Sequence, residues 1–367
     1  MKKVVTRVLL GVLALVLVAV IAFVCVYFTR LKSISTLQKL TAYEDYNIYR
    51  MDVCYDYDLD GLIASGITDN ESFINAILKE SIPYLPISME APDFGCSAFT
   101  LTATDGDVMM GRNYDFKYDS SALLVYCTPK NGYKSVAFAA LDNVSANQAD
   151  SSLVTRFACL TAPFICLDGM NEKGVSIAVL TLDSEPTYQQ TGKPMLPTSL
   201  LIRMVLDRAA STEEAVELIS QYDMFATSGR DYHFYITDAS GDGRVIEYDC
   251  DSETRALTVT PSEAVTNFFI MYKDQVLPNQ KNGNYGHGRE RYDAILATFE
   301  EDAGNYSKDT AWKALKNASQ APNPEDITSN TQWSIVFNNT DLTLEISLRR
   351  DWDTVVSYSL TDNKIIQ

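Results

Sequence analysis

The chain has 367 residues, is 46% hydrophobic and 21% charged, and carries a net charge of −18. That is enough chain for one large globular domain or two small ones, and so much negative charge repels phosphate backbones, which makes nucleic acid an unsuitable partner. With only His233 and His287 as histidines, and no HExxH, paired CxxC or Walker glycine loop, zinc hydrolysis and P-loop chemistry lack their ligands, and neither metal nor cofactor is expected.

The first element is an uncharged apolar run from Val8 to Phe28. At about 1.5 Å per residue it is long enough for a hydrocarbon core of roughly 30 Å. Lys2, Lys3 and Arg7 precede it and predict a cytoplasmic N-terminus, with the rest of the chain outside the cell, although Arg30 and Lys32 reduce the charge asymmetry. A cleaved signal peptide is the rival; its apolar region is usually shorter, and no A-x-A site stands near Cys25. The expectation is a single-pass anchor at the cell membrane over residues 1–30.

Residues 31–95 read as a linker or pro-segment. Ser72–Tyr84 has apolar residues at helical spacing, and Pro83, Pro86 and Pro92 lead into Gly95-Cys96. From Cys96 the texture turns to β. Ser97–Thr104 and Val108–Gly111 flank an Asp105-Gly106-Asp107 turn, and Leu123–Thr128 pairs with Ser135–Ala140 around Lys130-Asn131-Gly132. Val175–Leu182 is a further strand. Helices are predicted over Ser199–Arg208 and, behind a Ser211-x-x-Glu214 capping box, Thr212–Gln221. Strands return at His233–Thr237 and Val245–Tyr248, helices at Arg291–Phe299 and Ala311–Leu315, and strands at Trp333–Phe337, Leu342–Ser347 and Thr354–Ser359. This order implies an α+β fold, antiparallel sheets with helices packed outside, in one domain over 96–367.

Seven cysteines occur, without the spacing of a small disulfide scaffold; most read as buried free thiols, and the pairing of Cys54 stays open. Cys96 differs in its setting. It opens a strand, and the hairpin partner returns Arg112 and Asp115 beside it. A guanidinium favours a thiolate, and a carboxylate can orient an amine. If the bond before Cys96 were cut, its new α-amine, which ordinarily titrates near about pH 8, would serve as base for its own side chain. A lone cysteine at a strand start is more often a structural thiol; the flanking residues raise the catalytic reading above it.

Those residues are Gly95-Cys96-Ser97-x-Phe99, Asp105-Gly106 and Gly111-Arg112-Asn113-x-Asp115-Phe116, followed by Asp168-Gly169-Met170-Asn171-Glu172-Lys173-Gly174, His233…Asp238…Gly241…Val245-Ile246-Glu247, Thr266-Asn267 and Arg291-Tyr292. The pattern resembles the choloylglycine hydrolase family: bile salt hydrolases, penicillin V acylases and the acid ceramidase-like branch of N-terminal-nucleophile hydrolases. The resemblance covers Cys96 to about Leu296. It implies an αββα sandwich and hydrolysis of a small linear acyl amide through an acyl-thioester on Cys96, after self-cleavage between Gly95 and Cys96. It also implies roles: Arg112 and Asp115 hold the nucleophile's charge and amine, Asn267 donates to the oxyanion, and Arg291 closes the polar network, with Arg289 as the alternative. Where bile salt hydrolases carry an oxyanion-donating asparagine, this chain has Thr181. An acyltransferase of the same fold, or an inactive membrane-anchored binding protein, are the alternatives, and the pocket loops leave the acyl amide open.

Overall fold

A computed structural model describes residues 2–83, 95–116, 119–281, 283–323 and 330–366. Two large sheets make its centre. The first orders nine strands as Gln38–Lys39, Ile48–Val53, Ala122–Cys127, Ser135–Ala140, Cys166–Asn171, Ser176–Leu182, Asp231–Thr237, Arg244–Tyr248 and Leu257–Pro261. The second orders seven as Ala264–Val265, Gly95–Thr102, Val108–Asp115, Thr331–Asn338, Thr343–Leu348, Val355–Ser359 and Lys364–Ile366. Neighbours are antiparallel except Ile48–Val53, which runs parallel to Ala122–Cys127.

Several strands are buried along their whole length, including Ala122–Cys127, Ser135–Ala140 and Ser176–Leu182. Continuous burial requires cover on both faces. Between the sheets, Phe138 meets Phe337 edge-on at 6.3 Å, and Asn339 donates to the Gly174 carbonyl (2.7 Å) and the Ser176 hydroxyl (2.9 Å). The helix Thr198–Arg208, nearly all buried, covers the outer face of the first sheet, where Leu206 packs on Gly169. The helices Arg289–Glu301 and Lys308–Ala318 cover the second: Phe299 packs edge-on against Phe99 at 5.4 Å, and Asn113 donates to the Leu315 carbonyl at 3.0 Å. The architecture is the expected αββα sandwich.

Helix ends follow local chemistry. Asp69 and Ser72 form a reciprocal cap on Asn70–Ser81, and Ser307 with Thr310 does the same for Lys308–Ala318. The Ser211 hydroxyl caps Thr212–Ile219 by accepting from Glu214 N, while the Glu214 carboxylate reaches one residue past the expected partner, to Ala210 N. Asn171 does more than shape its turn. Its carbonyl oxygen accepts from Lys173 N and Val175 N, and its amide donates to the carbonyls of Leu206 and Ala209 at the end of the covering helix.

Much of 31–95 differs from a linker. Ile48–Val53 is a strand of the large sheet, and Asn70–Ser81 is a packed helix burying Phe73 and Ile77. Tyr49, Met51 and Val53 form its buried face and alternate with the half-buried Arg50 and Asp52, a two-residue period too short to stand out from the neighbouring sequence. Tyr84, Pro86 and Pro92 lie outside the described residues. All seven cysteines are free thiols, with Cys96, Cys127, Cys159 and Cys166 buried.

The apolar N-terminus forms one helix, Lys2–Ser35, of which Leu9–Ser35 is long and apolar enough to cross a membrane. Its far end is docked. Tyr27 is buried and donates to the Pro83 carbonyl, Arg30 donates to the Ser81 carbonyl at 2.7 Å, and the Ser33 hydroxyl accepts from Cys54 N at 2.8 Å.

Phe99 faces Gly111 across the hairpin Gly95–Thr102/Val108–Asp115, and its ring lies where a Cβ on Gly111 would sit. Gly111→Ala is therefore expected to destabilise the fold by about 1–3 kcal/mol, the usual cost of overpacking. Chemical denaturation should show this loss, and adding Phe99→Leu should recover part of it.

Candidate active site

The hairpin Gly95–Thr102/Val108–Asp115 sets the site. Cys96 pairs with Tyr114 and Ala98 with Arg112, and because side chains alternate across a strand, Cys96 and Arg112 share the face turned to the other sheet. There the Arg112 side chain donates to Asp168 Oδ2 at 3.3 Å and to the Val179 carbonyl at 2.9 Å. Asn113 and Asp115 fall on the helix-covered face. Asp115 is fully buried and accepts from Thr331 Oγ1 (2.6 Å), Gln320 Nε2 (2.7 Å) and Arg291 Nη1 (3.3 Å).

Arg291 ties these parts together. Its Nη1 donates to the Cys96 carbonyl at 2.8 Å, and its Nη2 to Asn267 Oδ1 at 2.7 Å. Asn267 Oδ1 also accepts from Cys96 N at 2.9 Å. Two donors on that oxygen fix which way the amide points. Its Nδ2 therefore faces Thr181, donating to the Thr181 carbonyl (2.9 Å) and hydroxyl (3.2 Å). Arg289 turns elsewhere, to Asp293 at 2.8 Å and the Lys273 carbonyl at 2.7 Å.

The chain around Asn267 and Arg291 is laced locally. His287 N donates to the Asn267 carbonyl at 2.8 Å, and Thr266 Oγ1 to the Gly288 carbonyl at 2.9 Å. Gly288, at φ +85°, precedes the helix that carries Arg291, and a Cβ there would occupy the position of the guanidinium. Glycine at this position lets Arg291 fold back over its own helix start.

Electrostatics follow from burial. Desolvation pushes the Cys96 thiol up to about 11, against the opposing charge of Arg112 and hydrogen bonds from Arg112 and the Asp115 backbone. Desolvation also raises Asp115, opposed by Arg291, and raises Asp168 to about 6, opposed by Arg112. Among the described residues no cluster of His, Cys, Asp and Glu could hold a metal ion.

The structure thus gathers Cys96, Arg112, Asp115, Thr181, Asn267 and Arg291 into one connected, buried network. It adds three residues the motifs did not single out. Asp168 backs Arg112 from the opposite sheet; it stands inside a motif quoted above, but only the sandwich reveals its partner. Thr331 and Gln320 hold Asp115 from the C-terminal third of the chain, without a local sequence signal.

The sandwich is shared with known amide hydrolases. A variant of the conjugated bile acid hydrolase from Clostridium perfringens superposes with a TM-score of 0.53 at 16% identity, over 74% of this chain and 96% of that one. Penicillin V acylase from Agrobacterium tumefaciens superposes with a TM-score of 0.52 at 18% identity, over 72% of this chain and 86% of that one. At such identities the likeness shows the fold. Residues 96–259 match the family model described as linear amide C-N hydrolases, choloylglycine hydrolase family, which bears out the resemblance read from the motifs. The chain is accordingly a hydrolase of non-peptide carbon–nitrogen bonds. No curated protein matches the sequence.

Asp168 sets a pH dependence. Its carboxyl is raised from 3.8 to about 6 in the fold, so the folded protein binds more protons than the unfolded chain between these values. Its contribution is complete below about pH 4 and is lost as pH rises through about 6. Asp168→Asn removes this titration. Relative to that variant, wild type should lose about 1–3 kcal/mol of unfolding free energy between pH 4 and 7, measured by denaturant titration at each pH.

Proposed function

We propose that Cys96 is the nucleophile of an acyl-amide hydrolase whose chain is cut between Gly95 and Cys96. The observation that carries this reading is the grip on the Cys96 backbone: Asn267 on its nitrogen and Arg291 on its carbonyl. Backbone hydrogen bonds to a nucleophile's own main chain are what an amine that must act as base requires. A peptide nitrogen has no such basicity, and in the uncut chain the thiol is buried and its pKa raised. Freed as an α-amine, with a pKa of about 8, the same nitrogen can take the thiol proton while still donating to Asn267.

The sulfur then attacks the amide carbonyl carbon, and the C=O electrons move to oxygen. Asn267 Nδ2 is the candidate oxyanion donor, exchanging its contact with Thr181 for the developing charge. Collapse expels the amine, which takes the proton from the α-ammonium and leaves an acyl-thioester. Water attacks this with the α-amine again as base and releases the acid. Arg112 stabilises the thiolate from the sheet face, and Asp115 keeps Arg291 aligned.

The docked end of the N-terminal helix supports an uncleaved membrane anchor, with the catalytic domain outside the cell. Removing Tyr27, Arg30 and Ser33 would strip partners from Pro83, Ser81 and Cys54. The piece before the cut would stay in place. Ile48–Val53 belongs to the sheet, Tyr55 donates to the Leu160 carbonyl at 2.5 Å, and Tyr57 donates to Asp207 at 3.0 Å. Residues 1–95 then act as an anchoring chain and 96–367 as the catalytic one.

Intact-mass analysis of detergent-purified protein tests the cut. Wild type is expected as two co-purifying chains, the second beginning at Cys96, and Cys96→Ala as one continuous chain. Full acyl-amide turnover by an uncut chain would overturn the amine's role.

Asn267→Ala is expected to lower kcat on the order of 10²–10³-fold, as loss of an oxyanion donor does. Thr181→Asn should leave turnover standing, since a side-chain amide there offers a further donor. Steady-state kinetics on a panel of acyl amides read both; a change confined to KM for Asn267→Ala would place it in substrate binding instead.

A further inference from the structure

Outside the N-terminal helix, Leu153 and Val154 are consecutive large apolar residues left in water, at 70% and 67% exposure. They open the short helix Leu153–Ala158, whose start is fixed by a reciprocal Ser152–Thr155 cap. A well-capped helix presenting bare leucine and valine is not explained by the fold, since neither side chain packs into the core.

Their place in the molecule supplies the explanation. Phe157, on the same helix, meets the ring of Tyr27 edge-on at 5.9 Å. Tyr27 marks the level at which the N-terminal helix passes from full exposure to docking: Leu17, Val18 and Phe23 are exposed, and Val26 and Tyr27 pack against the domain. The apolar run ends one residue later, at Phe28, and Arg30 is already bonded to the Ser81 carbonyl. A bilayer around this run has its outer boundary at the level of Tyr27 to Arg30. Val154 and Leu153 stand three and four residues before Phe157, about one helical turn away. Arg156, between them and Phe157, donates to the Asp150 carbonyl at 3.4 Å at the protein surface, and a side chain of this length is of the kind that extends to headgroup phosphates.

We infer that the helix Leu153–Ala158 is a second membrane contact, with Leu153 and Val154 seated in the headgroup–acyl boundary of the leaflet from which the N-terminal helix emerges. The occupant of this apolar surface is the lipid bilayer itself, because Phe157 of the same short helix touches Tyr27, where Tyr27, Arg30 and Ser33 dock the end of the apolar run onto the domain. The contact fixes the tilt of the catalytic domain and brings it against the membrane surface, where an acyl amide with a long apolar chain would partition. The inference rests on reading the N-terminal helix as a membrane span.

Tryptophan quenching in vesicles tests it. Full-length Leu153→Trp and Phe23→Trp proteins are reconstituted in phosphatidylcholine with acyl chains brominated close to the headgroup, and in the unbrominated lipid. Emission above that of the wild type is compared between the two. Both variants are expected to lose their added emission in the brominated lipid. Loss for Phe23→Trp without loss for Leu153→Trp would overturn the second contact while keeping the span. Loss for neither would remove the span, and this inference with it.

Discussion

The Arg291 guanidinium is the constraint on which the site depends. It is a fixed positive charge, buried where the strand Gly95–Thr102 begins, bonded to the Cys96 carbonyl, the Asn267 amide oxygen and the Asp115 carboxylate. A buried charge of this kind costs several kcal/mol unless it is well paired, and the surrounding chain is arranged to pair it. Gly288 clears space for it, Thr331 and Gln320 hold its carboxylate partner, and the 266–268 segment is held against 286–288 by main-chain and side-chain bonds. The planar fork of arginine reaches these acceptors at once, which the point charge of lysine does not reproduce.

A second arginine performs a separate task on the other face of the same strand pair. Arg112 lies between the sheets, bonded to Asp168 and the Val179 carbonyl, and faces the thiol. The two faces of one hairpin thus divide the chemistry. The thiol and its stabilising charge look into the sandwich, while the carboxylate that aligns the main-chain clamp looks toward the helices. Strand alternation produces this division, and a one-residue slip in register would exchange the two sets.

What the sequence made legible follows the range of the interactions. The hairpin carrying Cys96, Arg112 and Asp115 is local, and its register could be read from an Asp-Gly turn and two flanking runs. The helices that cover the sheets showed their periodicity, and the helix behind Ser211 showed its cap. The strand Ile48–Val53 was not read, although Tyr49, Met51 and Val53 alternate with Arg50 and Asp52, because it is short and pairs with Ala122–Cys127, far along the chain. Cys166–Asn171 was not read as a strand: its Asp168 and Gly169 look like turn residues, yet Gly169 is there to admit Leu206 and the Val136 backbone. Thr331 and Gln320 needed the fold. They approach Asp115 from more than 200 positions away, and neither residue type signals chemistry alone.

The parallel pairing of Ile48–Val53 with Ala122–Cys127 bears on how such a molecule ages. In the uncut chain both strands belong to one polymer, and their encounter during folding has an effective concentration set by the intervening chain. A cut before Cys96 removes that advantage without disturbing a single bond of the sheet. Heating or denaturant would then separate two pieces that meet again only by diffusion, and the catalytic piece would expose a long apolar edge at Ala122–Cys127, open to aggregation. A form cut there would owe its persistence to a slow rate of unfolding, and a molecule once unfolded would not be recovered.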